Sequence, residues 1–133
     1  MAIPSVGGGY QIGDGNINET PLSIQPAPQT ATVTATLTAA QITGGIIVAD
    51  TGTTAATLTL PTVALLEAQL TNAKVNSSFD LAIVNVGTSS GTITMAVGTG
   101  WTITGLATVT YTTSAMFRAR KTGTGAWTLY RLT

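Results

Sequence analysis

Short runs in which threonine alternates with aliphatic residues recur along this chain, and they constrain its fold more than any other feature. Examples are ATVTATL at 31–37, ATLTL at 56–60, TITMAV at 92–97 and WTITG at 101–105. Successive side chains of a strand point to opposite faces, so a period of two predicts strands with one buried and one outer face. Threonine is β-branched and polar, which suits the outer face.

Other segments extend this pattern over most of the chain. GIIVAD (45–50), SFDLAIVNV (78–86) and LATVTYTTS (106–114) are predicted strands. AMFRARK (115–121) and AWTLYRL (126–132) flank a Thr-Gly-Thr-Gly turn and predict a β-hairpin. About eight or nine short strands at this spacing predict an all-β fold, an antiparallel β-sandwich or a jelly-roll-like knob.

One short helix is predicted within the β domain. Thr62 fits an N-cap for VALLEAQLTNA at 63–73. The apolar residues expected to share or border its buried face are Val63, Leu65, Leu66 and Leu70. Glu67 is expected to point outward.

A second, shorter helical signal precedes the strand at 45–50. Thr38 and Gln41 have the spacing of a capping box, and Gly44 and Gly45 follow shortly after. We therefore expect a single helical turn between them.

The first thirty residues are predicted to be an extended arm, and residues 31–133 a β domain. The arm holds four of the five prolines and the glycine-rich run GGGYQIGDGN at 7–16. Apolar residues spaced along an irregular tract favour a segment that folds onto another surface. A disordered terminus is the simpler alternative.

The glycine-rich run does not carry the motif of a nucleotide loop. The lysine and Ser/Thr of a P-loop do not follow Gly15. Asp14, Asn16 and Asn18 have the spacing of half an EF-hand loop, but the motif's glycine and final glutamate are missing. Turn chemistry is the main interpretation, and a weak calcium site is a minor alternative.

Ionised residues are scarce: 8% of the chain is charged, with five basic and five acidic side chains and a net charge of zero. Such residues normally cover the surface of a monomer, so their scarcity favours packing between copies, with a neutral monomer surface as the alternative. Without a basic excess, we expect no direct contact with nucleic acid. No apolar run reaches about 18 residues, and MAIPSVGGG lacks the features of a secretory signal, so no membrane span or export is expected.

Catalysis is not expected. Cysteine and histidine are absent, which excludes the common nucleophile triads and structural zinc sites. The carboxylates of the β domain, Asp50, Glu67 and Asp80, lie on three different predicted elements. We therefore expect no enzyme activity, cofactor or metal.

The terminal hairpin carries four of the five basic residues. Arg118 and Arg120 share one strand face and Phe117 the opposite one. Ion pairs with Asp80 or Glu67 of the same or a neighbouring subunit are the favoured role of the basic groups. Stacking on an aromatic ring, a solvated face and an acidic partner are the alternatives.

The large aromatic residues have two interpretations. Trp101, Trp127, Tyr111 and Tyr130 are expected to anchor the core or an interface, with a sugar-binding groove as the alternative. The predicted subunit interface comprises Phe117, Arg118, Arg120, Trp127, Tyr130 and Arg131.

Four segments of the chain carry a resemblance to a known family. They are GYQIGDGNINE (9–19), LTAAQITGGIIVAD (37–50), LTLPTVALLEAQL (58–70) and FRARKTGTGAWTLYRL (117–132). Together they resemble small head proteins of tailed bacteriophages, the capsid decoration or cement proteins. The hairpin and the Leu-Pro-Thr junction are the most specific parts.

The resemblance implies a β-rich homotrimer on the outer surface of the phage head, made in the host cytoplasm. Such a protein binds the major capsid protein through its arm and stabilises the shell. The predicted arm contacts are Tyr10, Ile12, Asp14, Asn16, Ile17, Leu22 and Ile24. The alternative function is a fibre-base or receptor-binding module that adheres to a host surface glycan.

Overall fold

The computed structural model describes residues 22–133, which form ten strands and two short helices. The strands are β1 Gln29–Ala31, β2 Ala35–Thr36, β3 Ile46–Ala49, β4 Ala56–Thr59, β5 Ser78–Asn85, β6 Ile93–Ala96, β7 Trp101–Thr104, β8 Thr108–Val109, β9 Ser114–Gly123 and β10 Ala126–Arg131. The helices are α1 Ala39–Thr43 and α2 Val63–Gln69. The prediction of a mostly β chain is confirmed. The helical turn expected after Thr38 is present as α1, and the helix expected after Thr62 is present as α2.

The strands form two sheets. The six-stranded sheet has the order β1-β3-β5-β9-β10-β7, and the four-stranded sheet has the order β2-β4-β6-β8. From β1 to β8 the chain passes from one sheet to the other at every strand. From β1 to β8, neighbours within a sheet are therefore separated in sequence by a strand of the other sheet.

The prediction of antiparallel sheets is wrong for most strand pairs. Of the eight pairings within residues 22–133, β1–β3, β3–β5, β2–β4, β4–β6 and β7–β10 are parallel. The reason is the chain path: from β1 to β6, each passage through both sheets returns the chain to the first sheet in its original direction. Alternation along one strand identifies the strand but says nothing about the direction of its neighbour.

The predicted terminal hairpin is confirmed. β9 pairs antiparallel with β5 on one side and with β10 on the other. The hairpin turn at Thr124–Gly125 places Gly125 at a φ of 66°, a conformation that glycine adopts without steric cost. β9 is thus the central strand that joins the parallel part of the sheet to the C-terminal hairpin.

Both sheets and both helices contribute side chains to one buried cluster. Ile83 and Phe117 come from the six-stranded sheet, Leu58 and Ile93 from the four-stranded sheet, and Leu66 from α2. Each of these five side chains is fully buried. The alternate positions of the predicted strands supply the core, as expected from the period-two pattern.

The cap of the first helix forms as the sequence predicts. The Gln41 amide donates to Thr38 Oγ1 at 3.2 Å, and the Thr38 amide donates to Gln41 Oε1 at 2.8 Å. Both bonds of the capping box are therefore present.

The second helix begins as predicted but is shorter. Thr62 Oγ1 accepts from the Leu65 amide at 3.3 Å, and α2 ends at Gln69 rather than at residue 73. Leu65 is exposed, contrary to its expected place beside the buried face. It lies two residues after Val63, or about 200° around the helix axis, so it points away from the core.

Two predicted strands are also shorter than expected. The segment 31–37 divides between β1 and β2, which belong to different sheets, and Thr34 Oγ1 at the break accepts from the Thr57 amide at 3.0 Å. In the segment 106–114, Thr108–Val109 form β8, and Ser114 is the first residue of β9. The predicted boundary between arm and β domain falls inside β1.

Asn85 is a buried polar residue at the end of β5. Its Nδ2 donates to the carbonyl oxygens of Gly91, at 2.8 Å, and Val109, at 2.9 Å. Its Oδ1 accepts from the Gly87 amide at 2.9 Å. One side chain therefore joins β5, the loop that follows it and β8 of the other sheet.

Candidate functional site

The outer face of the six-stranded sheet carries a contiguous set of aliphatic side chains, here called the outer sheet face. The register places Ile46 beside Ala82 and Ala82 beside Met116, and the backbone of Leu132 continues the row by bonding to Met116. The next row places Val48 beside Val84. The outer sheet face comprises Ile46, Val48, Ala82, Val84, Met116 and Leu132, each of which is half-buried or exposed.

The corresponding face of the four-stranded sheet is mostly threonine. Pairing places Thr57 beside Thr94 and Thr94 beside Thr108, with Thr36 beside Thr59 in the next row. Valine and threonine are both β-branched and suit strands equally, so a solvated face has no need of valine. A contiguous aliphatic face in water is typical of an interaction surface.

A signal for this face exists in the sequence, although the predicted interface did not include it. The segments 46–49 (IIVA) and 81–84 (LAIV) are aliphatic at every position and lack the threonine of the other strands. Strands that are apolar on both faces are usually covered on both faces. Strands that alternate aliphatic residues with threonine are therefore expected to be covered on one face, and the segments 46–49 and 81–84 on both faces.

An exposed ion pair lies next to the outer sheet face. Arg118 and Asp80 face each other across β9 and β5, with Nε 2.6 Å from Oδ1 and Nη2 3.1 Å from Oδ2. The hydrogen bond from Arg118 lowers the pKa of the Asp80 carboxyl. Of the roles predicted for the arginine, a pair with Asp80 of the same chain is the one found.

Arg120 is held by neighbours on the same face. Its Nε and Nη2 donate to Tyr130 Oη at 3.2 and 2.8 Å, and its Nη1 donates to Asn76 Oδ1 at 2.7 Å. The guanidinium carbon lies 5.6 Å from the centre of the Tyr130 ring. Arg120 therefore contacts an aromatic side chain, as one predicted alternative has it, but through hydrogen bonds to the hydroxyl oxygen of Tyr130.

Two residues of the predicted subunit interface are core residues instead. Phe117 and Trp127 are 0% and 1% exposed within a single chain, so they offer no surface to a second subunit. Their positions on β9 and β10 face the buried cluster. Trp101 is also buried, 5.9 Å from Trp127 between ring centres, so the two tryptophans form no exposed platform for a sugar.

Arg131, another predicted interface residue, is bonded within its own chain. Its Nε donates to the Thr133 carbonyl oxygen at 2.6 Å, and its Nη1 bonds to the carbonyl oxygens of Leu106 and Thr108. The guanidinium lies over the Phe117 ring at 5.7 Å. Its contacts join the C-terminus to the segment around β8.

Glu67 does not point outward as expected. Its Oε1 accepts from Trp127 Nε1 at 3.2 Å and lies 2.8 Å from Lys121 Nζ, which also donates to the Ala73 carbonyl oxygen. The Lys121 hydrogen bond is the main reason why the pKa of Glu67 is lowered. The carboxylates of residues 22–133 therefore remain apart, two of them in ion pairs with different bases.

Residues 22–28, the part of the predicted arm that the structure describes before β1, are exposed to solvent. Leu22 and Ile24 are 90% and 96% exposed, in a segment without helix or strand. Gln25 Nε2 donates to the Gly44 carbonyl oxygen at 2.6 Å, which fixes the segment beside the start of β3. Five predicted arm contacts lie outside the described residues: Tyr10, Ile12, Asp14, Asn16 and Ile17.

Within the described part of the chain, no three acidic side chains cluster in a way that suits a metal ion. Neither of the two helices there has the length and apolar character needed to cross a membrane. No family model, curated protein or solved structure matches this chain.

Proposed function

We propose that this chain is a decoration protein of a tailed bacteriophage head. It is a non-enzymatic structural protein that forms a homotrimer on the outer surface of the capsid. Its N-terminal arm, taken as the residues before β1, binds the major capsid protein and so stabilises the shell.

The exposure of the arm where it leaves the body carries this proposal. Leu22 and Ile24 extend into solvent, and burying each aliphatic side chain would gain about 1.5–3 kcal/mol. The hydrogen bond from Gln25 to Gly44 holds Gln25 beside the start of β3, so Leu22 and Ile24 lie just before an attached residue. An attached residue with unburied aliphatic groups before it suits a segment that binds another surface.

The body suits the role of a compact domain held in place by such an arm. Two sheets that share one buried cluster support a sandwich-like architecture, and the parallel pairings distinguish it from a jelly roll. The Leu-Pro-Thr junction of the family resemblance has a structural role here. Pro61 supplies the carbonyl oxygen that Trp101 Nε1 reaches at 2.8 Å, and Thr62 caps α2.

Several arms on one assembly explain how modest contacts would give firm attachment. Once one arm of a trimer is bound, the others search a small volume at high effective concentration. A contact that is weak for a single arm then becomes long-lived. The decoration protein would bridge neighbouring capsid subunits by this means.

Head binding by arm variants tests the proposal. Purified protein is mixed with expanded heads that lack it, and bound protein is measured after sedimentation. We expect the full chain to saturate the heads, and a variant lacking residues 1–24, which keeps Gln25, to fold normally but not to bind.

A point substitution gives a sharper comparison. Ile24→Asp is expected to weaken head binding, whereas Val33→Asp, at an exposed aliphatic residue outside the arm, is expected to bind normally. Full occupancy by the truncated chain would contradict the proposed role of the arm.

A further inference from the structure

We infer that the outer sheet face is the surface through which copies of this chain pack together around a symmetry axis. This interface deepens the proposed function, and it rests on that function for the presence of several copies in one assembly. It differs from the interface predicted from the sequence, which centred on the hairpin residues Phe117 and Trp127.

The shape of the surface suits packing against another sheet. Its residues occupy adjacent strands in register, so their side chains form a continuous layer and not scattered spots. At one end, Val84 and Val86 line a depression of about 400 Å³ together with Thr112 and Ser114. Faces of two sheets pack about 10 Å apart through side chains of this kind.

The other sheet of the same chain serves as an internal comparison. Both sheets bury one face in the shared core, and the four-stranded sheet has threonine on most positions of its outer face. The six-stranded sheet has Val48 and Val84 at equivalent outward positions. Half-buried valine in place of threonine leaves apolar area in water, a cost that disappears when the face is covered.

The charge pattern favours a second copy as the occupant. The six residues of the outer sheet face carry no ionisable side chain, and the chain as a whole has no net charge, so copies do not repel one another. Asp80 and Arg118 lie side by side at its border, one of each sign. Around the three-fold axis of a trimer, the border of one copy meets the neighbouring copy, so the carboxylate of one copy can meet the guanidinium of the next.

Sedimentation velocity of the purified full chain over a range of concentrations tests this interface. Val84→Lys and Met116→Lys place a charge on the outer sheet face. Thr57→Lys and Thr94→Lys are the matched controls on the four-stranded sheet. Circular dichroism and thermal unfolding establish that each variant is folded.

We expect the wild-type chain and both controls to sediment as one oligomer, and the face variants to sediment as folded monomers. Association should weaken on the order of 100-fold or more, because an unpaired ammonium group would be buried. The milder Val84→Thr keeps the side-chain shape and should weaken association several-fold. Its folded state should be unchanged, since threonine suits an exposed strand position.

Other outcomes identify other occupants and overturn the inference. Face variants that remain oligomeric would show that the copies meet elsewhere. Loss of the oligomer on removal of residues 1–24, with no effect of the lysines, would assign association to the arm. A monomeric wild-type chain whose head binding is lost in Val84→Lys would assign the face to the capsid protein. Face variants that remain oligomeric and still bind heads would overturn the interface while leaving the proposed function standing.

Discussion

The indole Nε1 of Trp127 donates a hydrogen bond to Oε1 of Glu67, 3.2 Å away and 60 residues distant in sequence. The same oxygen lies 2.8 Å from Nζ of Lys121. Helix α2 is therefore tied to the terminal hairpin through a single carboxylate. This contact lets a short helix hold a fixed place against the six-stranded sheet.

Glu67→Ala should lower the free energy of unfolding by about 1–3 kcal/mol, because it leaves the buried indole N–H of Trp127 without an acceptor. Glu67→Gln is the control, since it keeps an acceptor oxygen and loses only the charge; we expect it to cost about 1 kcal/mol or less. Urea unfolding followed by tryptophan fluorescence measures both. Wild-type stability in Glu67→Ala would contradict the role given to this carboxylate.

Stability should decrease as the solution is acidified from about pH 5 to pH 3. The pKa values of Glu67 and Asp80 are lowered in the folded chain, so the unfolded chain takes up protons more readily. The stabilisation is complete above their ordinary pKa values of 4.5 and 3.8 and is lost as the pH falls through the folded values. The double variant Glu67→Gln, Asp80→Asn should have a flatter profile in urea unfolding at each pH. An unchanged slope would show that other groups cause the acid sensitivity.

Asn85→Ala should destabilise the chain by about 1–3 kcal/mol, because it removes two donors and one acceptor from a buried site. Asn85→Asp should cost more at neutral pH, since it turns a carboxylate oxygen toward the carbonyls of Gly91 and Val109. Hydrogen exchange gives a local readout: the Gly87 amide should exchange faster in the alanine variant. Equal protection of Gly87 in both proteins would contradict the assigned bond.

Gly98→Ala should destabilise the fold by about 1–3 kcal/mol. A Cβ at Gly98 would lie 2.6 Å from the Leu60 carbonyl oxygen and 2.8 Å from that of Pro61, so the backbone would have to move. Gly123→Ala is the matched control, because no atom lies within 4 Å of its added Cβ. Its stability should be unchanged or raised by up to about 1 kcal/mol. Thermal unfolding of both variants tests this: a lower melting temperature in Gly98→Ala alone would show that close packing at Gly98 is the cause.

The features that the sequence predicts well are local ones. The capping box depends on Thr38 and Gln41, three residues apart, and the terminal hairpin depends on a turn between adjacent strands. Alternation also separates inward Ile83 from outward Val84 correctly. Each of these depends on backbone geometry within a few residues.

The features that could not be predicted depend on residues that are far apart in sequence. Parallel pairing of β3 with β5 requires knowledge of the path through the other sheet, which no local pattern contains. Glu67 was expected on a solvated helix face because its partners, Lys121 and Trp127, lie on the last two strands. Likewise, the aliphatic residues of the outer sheet face can be read from the sequence, but the sequence does not say which surface packs against them.

The location of the chain in a virus particle tests the central claim most directly. A cryo-EM map of the phage whose genome encodes this chain should show the two-sheet body on the outside of the head, with residues 1–24 lying along the major capsid protein. Density for the body only on the tail, or none on the particle, would contradict the proposed function.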